Sequence, residues 1–170
     1  MKRTGFILAI VLGCQVMAFS QKFAFVDTDY ILKNIPAYEA AQDQLNQLSK
    51  TWQQEIEGVY QEVATLYKEF QAESVFLSGE MRTKKEEAII EKEKQAKLLQ
   101  QKYFGAEGEM SKRQQALIQP LQDQITAVLR EIAREESLAA IFDKSTGVLY
   151  LDPKSDKSDQ VLERLGHKKQ

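Results

Sequence analysis

The sequence is poor in the side chains on which disulfides and most active sites depend. Its 170 residues include one cysteine, Cys14, and one histidine, His167. A lone cysteine excludes an intrachain disulfide, so packing alone must hold the fold. His167 stands in a lysine-rich tail after the last predicted helix, where we expect a disordered surface residue rather than a base or a ligand. Because no P-loop glycine pattern or other nucleotide motif is present either, we expect a protein that is not an enzyme and that binds no cofactor and no metal.

An excess of positive charge is also missing. Lysine and arginine number 23 against 25 acidic residues, for a formal net charge of −2 at pH 7. Contact with phosphates needs a basic surface, so the balance argues against general nucleic-acid binding. Asp27 and Asp29 in "DTD" could be imagined as a metal pair, but their position between a predicted strand and a predicted helix favours turn and helix-cap chemistry.

The first twenty residues have the pattern of a secretory signal. A positively charged start precedes an apolar stretch, 6–12, that is too short to span a bilayer, and "AFS" at 18–20 offers the small residues that a signal peptidase needs. We expect a mature chain that begins at Gln21, has lost two basic residues and carries a net charge near −4. The alternative is that "VLGC", ending at Cys14, is a lipobox that leaves a lipidated cysteine as the mature N-terminus.

Proline is scarce between residues 38 and 137, where the abundance of Gln, Glu, Lys, Ala and Leu predicts long helices. Apolar residues recur there every three or four positions, as in a coiled-coil seam with one extra residue inserted after Trp52. Pro36 suits the first turn of the first helix, and Ser78 suits the N-cap of the second. The seam of the first helix comprises Tyr38, Ala41, Leu45, Leu48, Trp52, Ile56, Val59, Val63, Leu66 and Phe70.

The second helix has a weaker seam near the turn, because charged residues occupy much of it between Lys84 and Lys97. Residues 38–77 carry a net charge of −5 and residues 80–118 one of +2, which suits two antiparallel helices lying side by side. The predicted apolar positions of this helix are Met81, Ala88, Ala96, Leu99, Tyr103, Ala106, Met110, Leu117, Leu121, Ile125, Val128 and Ile132.

A turn centred near Ser78 places residue i opposite about residue 157 − i. Trp52 then faces Gly105 and lies near Gly108, and a bulky indole that needs small neighbours would explain these glycines; flexibility of the helix is the competing explanation. Pro120 should kink the second helix or start a new segment.

A short strand, 23–27, opens the mature chain and needs partners that lie far away in the sequence. "LAAIFD" at 138–143 and "GVLYLD" at 147–152 predict a β-hairpin whose loop Gly147 closes. The pattern at 157–166 predicts a short terminal helix, capped by Ser158 or Asp159 and stopped by Gly166.

These patterns predict a mainly α fold with a small β part (α+β), in which a long antiparallel helical hairpin projects from a small three-stranded body. Such a body is too small to be well buried alone, so we expect a homo-oligomer. The expected divisions are a signal peptide at 1–20, a body for oligomerisation at 21–37 and 119–170, and a hairpin arm at 38–118 with its tip near 76–80.

The order of these elements resembles the Skp (OmpH-like) family of periplasmic chaperones, especially its Bacteroidetes-type members. The residues that carry the resemblance are the signal peptide, "KFAFVDTDYILKNIPAY", the hairpin, "LIQPLQDQITAVLREIA" and "LAAIFDKSTGVLYLDPKSDKSDQVLERLG". The resemblance implies a jellyfish-like homotrimer whose arms surround a cavity. It also implies that this cavity holds unfolded outer-membrane β-barrel proteins in the periplasm, without ATP. Better-known members are strongly basic and bind lipopolysaccharide, whereas this chain is slightly acidic, so lipopolysaccharide binding is not carried over.

Three groups of residues are candidates for this role. Apolar residues near the tip exceed what a two-helix seam can bury and are candidates to bind clients, although closing the turn would also explain them: Phe70, Val75, Phe76, Leu77, Met81, Ile89 and Ile90. Basic residues of the second helix are candidates for electrostatic steering: Arg82, Lys84, Lys85, Lys92, Lys94 and Lys97. The residues expected to join copies of the body are Phe23, Phe25, Ile141, Phe142, Val148, Leu149 and Tyr150.

A second class of function stays open at this point. A coiled-coil envelope scaffold or adaptor, lipid-anchored if Cys14 is modified, would use the same architecture to bind one folded partner. Membrane contact is compatible with either role and required by neither. The two roles differ in promiscuity, because a holdase binds several unfolded barrels and ignores them once they have folded.

Overall fold

A computed structural model of the chain describes residues 22–167, so the expected signal peptide and Cys14 lie outside the described residues. The elements, in chain order, are β1 (Lys22–Val26), α1 (Thr28–Lys33), α2 (Pro36–Glu73), α3 (Gly79–Phe104), α4 (Glu109–Glu135), β2 (Leu138–Asp143) and α5 (Ser158–Arg164), with 3-10 turns at Lys144–Thr146 and Pro153–Ser155. The predicted α+β class is confirmed.

A side-chain cap and a proline define where the first two helices begin. The Asp27 carboxylate accepts a hydrogen bond of 2.8 Å from the Tyr30 backbone N–H, which confirms the helix-cap role predicted for "DTD". Ile35 is extended and buried, and Pro36 occupies the first turn of α2, as predicted. With 38 residues, α2 extends about 57 Å.

The antiparallel hairpin of α2 and α3 has the predicted register. Ser78 is the N-cap of α3. The Lys85 ammonium lies 2.6 Å from the Glu73 carboxylate, and the Tyr103 hydroxyl donates to Glu55 over 2.8 Å, so both contacts fall within three residues of the predicted partners. Three seam positions of the second helix were wrong: Met81, Ala88 and Ala106 are exposed, and α3 buries Ile89 instead of Ala88.

The second helical segment of the hairpin is interrupted at a different place from the one predicted. Pro120 lies inside α4, which continues past it, and the interruption falls instead between Phe104 and Glu109. A Cβ atom at Gly105 would lie 2.4 Å from the Gln101 carbonyl oxygen, and one at Gly108 would lie 2.8 Å from the Tyr103 carbonyl oxygen. These glycines are therefore required by the tight backbone of the break.

The sheet contains two strands instead of three. β1 and β2 are parallel, with Ala24 opposite Ile141 and Phe25 opposite Phe142, which confirms that the opening strand pairs with the end of the chain. Within the described part of the chain, residues 147–152 form no strand. Gly147 does adopt a left-handed φ of 101°, but the chain then crosses the end of β1 rather than returning along β2, and the Lys157 N–H donates to the Phe25 carbonyl over 2.8 Å.

The helices and the sheet enclose one small apolar core. Its most deeply buried side chains are Ile31 of α1, Ile132 of α4, and Val161 and Leu162 of α5. The inward-facing Ile141 of β2 packs against this cluster. We call this assembly of β1, α1, the second half of α4, β2 and α5 the body, and the paired helices α2 and α3 the arm.

The terminal helix ends as predicted but begins differently. Gly166 has a φ of 80°, and the His167 N–H donates to the Leu162 carbonyl, which completes a Schellman-type end. The prediction of a disordered His167 was therefore wrong. Neither Ser158 nor Asp159 caps α5, because the helix begins at Ser158 itself, whose N–H and hydroxyl both donate to Asp156.

Candidate functional site

The tip of the arm exposes large apolar side chains. Val75 and Phe76 are 85% and 87% exposed in the turn after α2, and Met81 and Ile90 are about half exposed on α3. Val75 and Phe76 therefore do not close the turn by packing inside it. Val75 and Phe76 lie at the far end of the arm from the body and Met81 lies in the first turn of α3, whereas Ile90 lies further along that helix.

Three of the predicted tip residues are less available. Ile89 is buried in the seam at 3% exposure, because it faces α2, so it was wrongly placed among the client-contacting residues. Phe70 and Leu77 are half-buried. The Arg82 guanidinium lies 6.0 Å from the Phe70 ring centre and donates to the Ser74 carbonyl over 2.9 Å, so this cation covers part of the tip.

Most of the basic residues predicted to steer clients have acidic partners within the arm. Lys85 and Lys92 bridge to Glu73 and Glu62 of α2 over 2.6 and 2.5 Å. Lys84 pairs with Glu80, and Lys94 lies 3.9 Å from Glu91 on the same helix. Lys97 forms no salt bridge within residues 22–167. The opposed charges of the two helices thus join the arm, and each exposed bridge contributes no more than about 1 kcal/mol.

An aromatic cluster at the base of the arm was predicted only in part. The Trp52 indole stacks on Tyr103 with ring centres 4.8 Å apart and planes 3° apart, and it meets the edge of Phe104 at 6.2 Å. The indole thus faces aromatic rings rather than glycines. A hydrogen bond to Glu55, helped by burial, raises the pKa of the Tyr103 phenol.

Sequence reasoning also missed three exposed aromatic residues: Tyr60 and Tyr67 in the middle of the arm, at 39% and 43% exposure, and Phe104 at its base, at 37%. The signal that could have found them is spacing. Tyr60 and Tyr67 are one heptad apart, immediately after the seam positions Val59 and Leu66.

Three of the residues expected to join copies of the body, all phenylalanines, lie together on the outer side of the sheet. Phe142 contacts Phe23 and Phe25 at ring-centre distances of 5.9 and 5.7 Å. Leu149 and Tyr150 are 103% and 85% exposed. Ile141 differs from them, because it faces the core of its own chain, so it is not a surface contact. Val148 is half-buried.

An ionic cluster connects the two ends of the chain within the body. The Lys144 ammonium lies 3.4 Å from Asp27 and 3.1 Å from Asp156, and the Asp27 N–H donates to the Ser158 hydroxyl over 2.8 Å. The Tyr30 hydroxyl donates to Asp159, which raises the pKa of the phenol. All of these groups except Asp27 line one open cleft, and they are paired with one another.

Comparison with known proteins identifies the family. A family model described as "Outer membrane protein (OmpH-like)" matches residues 22–165. The chain belongs to the OmpH-like family. The OmpH-like fold is also that of a solved structure from Caulobacter crescentus CB15, described as a "putative outer membrane chaperone (OmpH-like)", with a TM-score of 0.68 and 12% sequence identity. That similarity covers 85% of this OmpH-like chain and 83% of the other. No curated protein is significantly similar in sequence to the present OmpH-like chain.

No helix in residues 22–167 is long and apolar enough to cross a membrane. The same residues contain no group of three or more His, Cys, Asp or Glu side chains that could hold a metal ion.

Proposed function

We propose that this OmpH-like chain is an ATP-independent holdase chaperone of the periplasm. It binds unfolded outer-membrane β-barrel proteins between the arms of a homotrimer and prevents their aggregation before membrane insertion. The observation that carries the proposal is the exposure of Val75 and Phe76 at the end of an arm about 57 Å long. Family membership and the described role of the Caulobacter relative support it.

The shape of the arm suits weak and adaptable binding. Exposed apolar side chains follow the arm from Phe104 to Phe76, so a client would gain many small contacts spread along the arm. Such contacts keep an apolar segment out of water without imposing one conformation. Binding and release then need no nucleotide.

In the proposed assembly, residues 21–37 and 119–170 join the copies and residues 38–118 hold the client. An N-terminal signal peptide at 1–20 would deliver the chain to the periplasm. The basic residues of α3 would steer clients only weakly, because Lys84, Lys85 and Lys92 already pair with glutamates.

The decisive experiment is light scattering of a urea-unfolded outer-membrane barrel diluted with and without the mature protein, whose mass is first established by sedimentation. We expect suppression at about one trimer per client, without nucleotide. The double variant Phe76→Ser/Leu77→Ser should raise the protein concentration needed for half-suppression severalfold and leave the mass unchanged. Ala88→Ser, which places a serine at an exposed position of α3 without removing a large apolar side chain, should behave like the wild type.

Other outcomes assign other roles. Loss of the oligomer in the tip variant would make Phe76 and Leu77 folding residues. A trimer that leaves aggregation unchanged would favour the scaffold or adaptor, and a lipidated monomer would contradict both the assembly and the soluble periplasmic location.

A further inference from the structure

One side of the arm carries a row of exposed apolar side chains. Tyr60 and Tyr67 lie seven residues apart on α2, and Ile90 and Phe104 lie fourteen apart on α3, so each pair shares one side of its helix. The Tyr67 hydroxyl donates a hydrogen bond of 3.0 Å to Glu93, which lies one helical turn after Ile90. This bond places the two rows on the same side of the hairpin. We call this side the aromatic face.

The opposite side of α2 carries carboxylates. Glu55, Glu62 and Glu69 also recur every seven residues, and Lys92 bridges to Glu62 on this side. We call it the glutamate face. The two faces of one arm therefore differ in chemistry, since one offers aromatic rings and the other a charged and hydrated surface.

A groove of about 360 Å³ opens on the aromatic face near the base of the arm. Its lining combines two aromatic rings and one isoleucine with three polar side chains; the lining residues are Gln53, Ile56, Glu57, Tyr60, Gln100 and Phe104. Phe104 packs against Trp52 in a T-shaped arrangement with ring centres 6.2 Å apart. The packing of Trp52 with Tyr103 and Phe104 thus fixes the position of the Phe104 side of the groove.

Glu57 gives the groove an unneutralised charge. Within residues 22–167 its carboxylate forms no salt bridge, and its hydrogen bond is a long one of 3.5 Å from the Gln61 amide. A carboxylate beside two aromatic rings is complementary to a cation, because the rings attract positive charge through their faces while the carboxylate pairs with it. The net charge of −5 over residues 38–77 adds to this preference.

We propose that this groove binds an arginine or lysine side chain flanked by apolar residues in an unfolded client polypeptide. The client's cation pairs with Glu57 between Tyr60 and Phe104, and its apolar neighbours lie along the aromatic face. The Gln53 and Gln100 amides can donate to and accept from the client backbone whatever its sequence. The inference rests on the proposed holdase function for its occupant and assigns that occupant a charge preference.

The test measures fluorescence anisotropy of a short labelled peptide of alternating serine and leucine with one central arginine. A second peptide carries citrulline, the neutral isostere, at the same place. We expect the mature wild-type protein to bind the arginine peptide about tenfold more tightly. Glu57→Gln should reduce the preference to less than about twofold. Glu69→Gln, the same change of charge on the glutamate face, should retain it.

Phe104→Leu provides a second test that removes a ring and leaves every charge in place, and it should reduce the preference severalfold. Equal effects of Glu57→Gln and Glu69→Gln would show a general charge effect and overturn the proposal. Equal binding of the two peptides by the wild type, or binding of neither, would also overturn it. Light scattering with the unfolded barrel separates the two claims, since suppression without arginine preference refutes the groove alone, and preference without suppression refutes the holdase alone.

Discussion

At the scale of single residues, the body depends on side chains that connect distant parts of the chain. Asp156 accepts hydrogen bonds from the backbone and hydroxyl of Ser158 and lies 3.1 Å from the Lys144 ammonium. Burial alone would raise the pKa of Asp156, but these donors outweigh it and hold the pKa below its ordinary value. The ionised form is therefore the one that stabilises the fold.

This sign sets the expected response to acid. A carboxyl group with a lowered pKa contributes stability above its unfolded pKa of about 4, and the contribution is lost as the pH falls through the folded value. Asp156→Asn should lower the free energy of unfolding at pH 7 by about 1–2 kcal/mol and make the loss between pH 5 and pH 2 smaller than in the wild type. Urea unfolding across this range measures both effects.

Asp123→Asn is the matched control, because Asp123 is exposed on α4 and accepts only from Gln119. It should leave the pH profile unchanged. Some acid sensitivity should remain in Asp156→Asn, since hydrogen bonds from Arg164 and Lys157 lower the pKa of Glu135 and Glu136. A profile identical to that of the wild type would contradict the role of Asp156.

The structural roles of single residues could be predicted from the sequence where the interaction is local. The cap at Asp27, the helix start at Pro36 and the stop at Gly166 depend on neighbours within a few positions, so sequence alone located them. The partners of Lys144 and Ser158 lie at the other end of the chain or across a turn, and no local pattern indicates them. The exposure of Tyr60 likewise depends on how α2 is rotated against α3, which its local sequence does not indicate.

At the scale of elements, the break between α3 and α4 distinguishes the two helical sides of the hairpin. α2 continues past this point as one helix, while the facing chain turns through Gly105 and Gly108. Pro120 was the more obvious helix breaker in the sequence. Its helix nevertheless continues, because Leu121 and Ile125 are buried in the body core and their packing outweighs the lost hydrogen bond.

Two glycine substitutions should have opposite effects. A Cβ at Gly105 would lie 2.4 Å from a backbone oxygen, so Gly105→Ala should lower the free energy of unfolding by about 1–3 kcal/mol and disturb the near-UV signal of Trp52. A Cβ at Gly58 would have no atom within 4 Å, so Gly58→Ala in mid-helix should raise stability by about 0.5–1 kcal/mol. Chemical unfolding with near-UV circular dichroism checks both. Stabilisation by Gly105→Ala would mean that the break is not required by the fold.

At the scale of the whole molecule, a single chain exposes apolar side chains on the body as well as along the arm. On the body these are Phe23 and Phe142 of the sheet, and Leu149 and Tyr150 beyond it. The sequence predicted a strand at 147–152 because of its Val, Leu and Tyr content, and the single chain gives that segment no strand partner. A partner from another copy is what the proposed homotrimer would supply.

This leads to a prediction about assembly. Leu149→Ser/Tyr150→Ser should shift the sedimentation mass from that of the oligomer towards that of the monomer at micromolar concentrations, because it removes apolar surface that copies would share. The same number of serines at the tip, in Val75→Ser/Phe76→Ser, should leave the mass unchanged. An oligomer that survives the first variant would place the contact between copies elsewhere.

The pairing of the first and last parts of the chain has a consequence for the order of folding. Asp27 and Ser158 are joined by a hydrogen bond although they lie 131 positions apart, whereas the arm is built from helices that are adjacent in the sequence. Local contacts form quickly and distant ones slowly, and a growing chain presents its N-terminal part first. The arm can therefore fold before β1 pairs with β2. The body, and any association of copies through it, must come last.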